Sequence, residues 1–291
     1  MNPAYWAART VLATLAFTPR PVAEWLARRY TRLLDIAIPR LRRVGYANLD
    51  MTLPAAGHKA IIDGVFHSIA RILVAFSRFP RLNKRNIGEW IRYEGFEHFE
   101  EALRRGKGVL FATAHLGNWE LSAFAHSLLA QPMNVVVRPL DNQRIDDLVE
   151  SYRALSGNKL IQKKEAARSI LKALARNEAV GILIDQNASL DQGVFVDFFG
   201  VPACANVAFA KIAARSGAAV IPGFALWSES EKKYVLRFYP IVEITGDATA
   251  DTASIQKQLE RAIREYPDQW LWIHRRWKTR PPATSSTTAG N

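Results

Sequence analysis

Residues 111–128, FATAHLGNWELSAFAHSL, place His115 and Glu120 at the junction of two apolar runs, separated by LGNW. On a continuous helix a separation of five leaves the two side chains about 140° apart, so they would not meet. If His115 instead ends a strand and Gly117-Asn118 make the turn, Glu120 falls in the first turn of a helix and the two can converge. Asn118 is then the natural N-cap, and a carboxylate at Glu120 suits the positive end of the helix dipole. A carboxylate on one imidazole nitrogen fixes the tautomer and leaves the other nitrogen as a base. Taken alone, the pair favours a histidine satisfied in the core.

Other chemistry-bearing residues follow apolar runs in the same way. Arg138 closes MNVVVR (133–138), and Asp185-Gln186 follow AVGILI (179–184). In open α/β sheets ligands bind beyond the carboxyl ends of the strands, where His115, Arg138, Asp185 and Gln186 would all lie. For Asp185-Gln186 a simple turn after a buried strand is the competing reading, and for Arg153 a helical salt bridge with Asp147 or Glu150. The single cysteine, Cys204, excludes an intrachain disulfide framework and a multi-cysteine metal site. There is no G-x-S-x-G elbow, and Cys204 has no evident activating partner, so no covalent nucleophile is evident; no metal is expected. His58, His67, His98 and His126 lie on helical stretches outside any motif and are assigned no role.

The elements that must position these residues alternate from residue 97 onward. Strand-like runs at 108–114, 133–138, 179–184, 218–224 and 234–241 are separated by helical runs. The helices are HFEEALRRGKG, NWELSAFAHSLLA, NQRIDDLVESYRAL, KEAARSILKALARNE, ANVAFAKIAARSG and TASIQKQLERAIREYP. This predicts an α/β domain over 96–281 with a mostly parallel central sheet flanked by helices. Residues 1–95 read as a helical region, with a clear helical period over 58–79 ended by Pro80. The low-complexity tail 282–291 reads as disordered.

The charge is uneven. Of a net +12, residues 1–95 carry 15 Lys and Arg against 6 Asp and Glu, and the remainder carries 24 against 21. A basic excess concentrated in one third of the chain suits an anionic partner: phospholipid, nucleic acid or an acidic carrier protein. The apolar stretch 11–17 is too short to span a bilayer. Tyr5, Trp6, Phe17, Trp25 and Leu26 among arginines instead suit a helix lying in the membrane interface, or equally one packed on its own protein.

Several blocks in order give the chain a resemblance to the bacterial lipid A late acyltransferases (lauroyl/myristoyl acyltransferases) of the lysophospholipid acyltransferase superfamily. They are AHLGNWE, VVVRPLDN, GILIDQNASLDQGVFVDFFGVPA, SGAAVIPGF and EYPDQWLWIHRRWKTRP, spanning roughly residues 5–281. The resemblance implies transfer of a fatty acyl group from acyl carrier protein or acyl-CoA to a hydroxyl of a lipid A precursor, with no cofactor. It implies that His115 is the general base and that Glu120 supports it. Arg138 would bind a phosphate or polarise the thioester, and Asp185, Gln186 and Asn118 would contact substrate. It implies an inner-membrane location with the catalytic domain facing the cytoplasm, and a Trp/Arg block near the membrane side, where His274 is structural or headgroup-contacting. Phe195, Phe198 and Phe199 are candidates for an acyl channel. Family members carry threonines and a glycine after FFGVPA, where this chain has CANVAF, so pocket shape and chain length do not carry over. The same chemistry serves other glycolipid acceptors such as phosphatidylinositol mannosides. A nucleic-acid-binding reading would use the basic N-terminus and the Trp/Arg block, but leaves AHLGNWE and DQ without a role; no nucleic acid is expected as a partner.

Overall fold

The computed structural model describes residues 2–54, 56–162 and 166–282; most of the tail read as disordered lies outside them. The chain begins with four helices: α1 (Pro3–Phe17), α2 (Arg20–Ala37), α3 (Pro39–Thr52) and α4 (His58–Ser77). Pro3, Pro21 and Pro39 stand in the first turns of the first three, where a missing N–H costs no hydrogen bond. Ala23 and Ala27 of α2, with Leu15 of α1, pack against Ala70 and Val74 of α4. By length and composition alone α4 can cross a membrane, but 56% of its apolar stretch is buried inside the protein.

The remaining order is β1 (Ile91–Glu94), α5 (Phe96–Arg104), β2 (Val109–Thr113), α6 (Trp119–Leu129), β3 (Asn134–Val137), α7 (Gln143–Ala154), β4 (Lys159–Gln162), α8 (Ala166–Ala175) and β5 (Ala179–Leu183). A hairpin follows, β6 (Gly193–Phe198) and β7 (Val201–Asn206), then α9 (Ala208–Ser216), β8 (Ala219–Ser228), β9 (Lys233–Phe238) and α10 (Ala248–Glu265). The seven-stranded sheet has the order β1-β9-β8-β2-β5-β3-β4. Strands β8, β2, β5, β3 and β4 run parallel, whereas β9 is antiparallel to β8 and β1 is parallel to β9. The α/β expectation therefore holds.

Three details differ from the sequence reading. The sheet begins before residue 96, with β1 at its edge. The four-residue strand β4 has only Leu160 and Ile161 as apolar members, too few for a period. Ala205 and Asn206, expected to open a helix, pair with Val194 and Gly193 in the hairpin.

The pleat of β2 divides the core. Leu110 and Ala112 face a cluster with α8, α9, α10 and Trp270, while Val109 and Phe111 face one with α5 and α6. With helices on both faces, the central strands read as unbroken apolar runs.

Candidate active site

His115 lies two residues beyond β2, in a corner held from both sides. The Leu271 N–H donates to the His115 carbonyl at 3.0 Å, the Gly117 N–H to the Gln269 carbonyl at 3.0 Å, and the Asn118 N–H to the Ala225 carbonyl at 2.8 Å. Gly117 has φ +64°, and a Cβ there would stand 2.0 Å from the Ala225 oxygen. Only glycine makes this turn so close to β8. Asn118 then caps α6, its side-chain oxygen accepting from the Leu121 N–H at 2.9 Å.

The parallel register decides what meets the imidazole. Thr113 pairs with Leu183, so His115 and Asp185, each two residues further, emerge side by side. Asp185 is fully buried and accepts three bonds. Its Oδ1 takes the His115 Nδ1–H at 2.9 Å. Its Oδ2 takes the His115 backbone N–H at 2.9 Å and the Trp270 Nε1–H at 2.8 Å. Because an ionised carboxylate only accepts, Nδ1 carries the proton and Nε2 is the basic nitrogen. Trp119 stands edge-on to the ring, centroids 4.9 Å apart.

Burial by itself would push the His115 pKa down. The charge and hydrogen bond of Asp185, with a further contribution from the charge of Glu120, outweigh it, and the net shift is upward. Burial likewise opposes ionisation of Asp185, but His115 and the Trp270 N–H hold it well below the usual carboxylate range.

Glu120 does not hydrogen-bond His115 as the sequence reading supposed. It forms a two-pronged ion pair with Arg153, Arg Nε to Glu Oε2 at 2.8 Å and Arg Nη2 to Glu Oε1 at 2.6 Å. The reason is geometric: in α6 the Glu120 side chain reaches α7, while the strand neighbour Asp185 already occupies Nδ1. The expected salt bridge of Arg153 within its own helix is replaced by this contact between helices. Asn118 and Asp185, read as substrate contacts, are both 0% exposed; one caps a helix and the other holds the His115 ring. Arg138 and Gln186 are exposed and line the mouth of the cavity beside His115.

That cavity, about 560 Å³, runs from His115 beneath α6 along the sheet. Its deeper walls are Phe79, Phe111, Phe124, Met133, Val135 and Phe238. The proposed acyl-channel phenylalanines lie elsewhere: Phe198 and Phe199 are packed against Trp270 in the opposite core. Cys204 pairs with Phe195 in the hairpin, away from this cavity, so the departure at CANVAF does not shape its wall. Within the Trp/Arg block Trp270, Trp272, Trp277 and Arg276 are buried, whereas Arg275, Lys278 and Arg280 are exposed. Trp270 supports Asp185, and Arg276 donates to the Cys204 carbonyl at 2.7 Å. Two residues at the site were missed from sequence. Trp270 carried no signal without the fold, and His126 in the cavity wall was visible only as an α6 residue on the same stripe as Ser122.

A buried carboxylate–histidine pair at the carboxyl edge of a parallel sheet, opening on a cavity with apolar deeper walls, is a geometry suited to acid–base chemistry on a ligand with an apolar part. The comparisons narrow this class: the chain belongs to the bacterial lipid A biosynthesis acyltransferase family, whose model matches residues 2–279. It is 28% identical to a lipid A biosynthesis palmitoleoyltransferase of Escherichia coli, covering 98% of this chain and 95% of that protein. It is 27% identical to a lipid A biosynthesis lauroyltransferase of the same organism, covering 98% and 96%. A phosphatidylinositol mannoside acyltransferase of Mycobacterium tuberculosis is 26% identical, covering 77% and 72%. The protein is thus an acyltransferase.

Proposed function

We propose that the enzyme moves a fatty acyl group from a thioester, acyl carrier protein or acyl-CoA, to a hydroxyl of a lipid A precursor. The observation that carries this is the Asp185–His115 pair with its free Nε2 at the head of an apolar slot. His115 Nε2 takes the proton of the acceptor hydroxyl as its oxygen attacks the thioester carbonyl. Collapse of the tetrahedral intermediate expels the thiolate, which recovers the proton from the imidazolium. Asp185 holds the tautomer and stabilises the imidazolium, as the buried carboxylate does in a catalytic triad. Glu120 adds its charge through space and anchors Arg153 at the slot. The exposed guanidinium of Arg138 at the mouth suits a phosphate of the acceptor or carrier, and Gln186 beside it suits polar acceptor groups.

Docking on the cytoplasmic face of the inner membrane is part of the same reading. Val22, Trp25, Leu33 and Ile36 are 48, 53, 63 and 67% exposed and recur at helical spacing along α2, with exposed Arg28, Arg29 and Arg32 between them. Phe17, 78% exposed, extends this apolar surface from the end of α1.

Mass spectrometry of products tests the assignment, with acyl-carrier-protein and acyl-CoA donors offered separately to lipid A precursors. Acylated precursor is the expected product, and absence of transfer with every donor would refute it. The mycobacterial relative makes a phosphatidylinositol mannoside the competing acceptor, and its acylation in preference to the lipid A precursor would reassign the substrate.

A further inference from the structure

Of the polar groups of the slot that the reaction does not use, His126 has a buried nitrogen left without a partner among the described residues. His126 lies six residues along α6 from Glu120, about 9 Å deeper at 1.5 Å per residue, lines the slot and is 1% exposed. Phe99, Phe111 and Phe238 stand edge-on around it, ring centroids 4.7, 5.2 and 5.8 Å away. The Tyr93 hydroxyl is 2.8 Å from Nδ1. Nε2 is buried and has no protein partner among the described residues.

The protons can be placed. Burial pushes the His126 pKa down to about 3, so the ring is neutral, and burial raises the Tyr93 phenol, so its hydroxyl stays protonated. If Nδ1–H donated to Tyr93, the phenolic hydrogen and the Nε2 lone pair would both lack partners. With Tyr93 donating to Nδ1, a single orphan remains: the Nε2–H. Of the other polar groups near it in the slot, the Ser122 hydroxyl is only half-buried, whereas Thr113 and Asn158 are engaged. Thr113 donates to the Gly223 carbonyl, while Asn158 accepts from the Met133 N–H and donates to the Ala123 carbonyl.

We propose that His126 is the specificity-determining end of the acyl slot: its unpaired Nε2–H rejects saturated chains long enough to reach it and favours a chain end bearing an oxygen acceptor. The inference rests on the acyl-transfer reading of the slot. Along the hydrocarbon walls each added methylene improves binding by about fourfold. A terminal methyl pressed onto a desolvated N–H removes its access to any acceptor, and that loss ends the gain.

The test measures kcat/KM for saturated acyl-thioester donors in two-carbon steps, together with ω-hydroxyacyl donors of matched length. The wild-type value is expected to rise with length and then drop at a cut-off. At the first rejected length the ω-hydroxy donor should exceed its saturated counterpart by about tenfold. In His126→Leu the cut-off moves to longer saturated chains and the ω-hydroxy preference disappears. Tyr93→Phe, which frees the imidazole to change tautomer, should weaken the preference without abolishing it. An unchanged cut-off in folded His126→Leu, or no ω-hydroxy preference in the wild type, would overturn the proposal. If His126→Leu does not fold, the wild-type donor comparison decides alone. Absence of transfer from any donor would refute the acyl-transfer reading itself and this inference with it, whereas transfer with an unaltered length profile would overturn this inference only.

Discussion

Replacing Asp185 by Asn tests the proposed role of His115 as base by changing its orientation without removing it. The carboxylate accepts from His115 Nδ1–H, the His115 backbone N–H and Trp270 Nε1–H. A carboxamide keeps one accepting oxygen and presents two N–H donors, so one of the three donors must face another donor. If the amide N–H turns toward His115, Nδ1 must accept and Nε2 carries the proton, the tautomer that cannot act as base. The equivalent change in a serine protease triad lowers kcat by about 10⁴. A loss of about 10³–10⁴ is expected here, equal to roughly 4–5.5 kcal/mol of transition-state stabilisation. The pH profile supplies a second readout. In the proposed reaction His115 works unprotonated, so kcat/KM should rise as pH passes through its pKa, which Asp185 raises above the ordinary 6.5. Without that charge burial dominates and the pKa falls, so the acidic limb moves to lower pH even as the plateau drops. Steady-state acyl transfer across pH, with circular dichroism as a folding control, measures both effects. A folded Asp185→Asn enzyme with near wild-type turnover, or with its acidic limb unmoved, would refute the assignment of Asp185.

Glu120→Gln removes a charge that raises the His115 pKa and leaves Arg153 unpaired; the acidic limb of kcat/KM should move down in pH, with a smaller rate loss than in Asp185→Asn. A loss as large, with the limb unmoved, would instead make Glu120 a direct participant in the chemistry. Gly117→Ala forces a Cβ against the Ala225 carbonyl at positive φ; the backbone preference alone costs about 1–2 kcal/mol, so a clear fall in Tm is expected, and an unchanged Tm would contradict the turn described. The triple variant Phe17→Ser, Trp25→Ser, Ile36→Ser removes side chains 78, 53 and 67% exposed. It should leave Tm nearly unchanged while cutting sedimentation with anionic vesicles by at least about tenfold, since each such side chain is worth more than 1 kcal/mol when buried. Undiminished vesicle binding would remove α1 and α2 as the docking surface.

Much of the architecture was legible in the chain because burial on both faces leaves strands such as VLFAT as unbroken apolar runs, and because α6 carries its own punctuation. Gly117, Asn118 and the apolar stripe that follows mark a strand-to-helix corner by local chemistry alone. His115 as the ionisable group at that corner was equally local. What sequence could not supply was its partner. Glu120 is near in the chain, but the α6 backbone directs it to Arg153 of α7. Asp185 is 70 residues away and becomes the neighbour only because β5 lies beside β2 in register, with β3 and β4 placed outside them. For the same reason the Trp block looked like a surface motif, although the sheet and α10 enclose it. Local sequence determines where a strand stops and a helix starts, since φ/ψ preferences and caps act over a few residues. Which carboxylate meets the histidine, and which phenylalanines wall the slot, depends on strand order and register, which arise only when distant segments pack into one core.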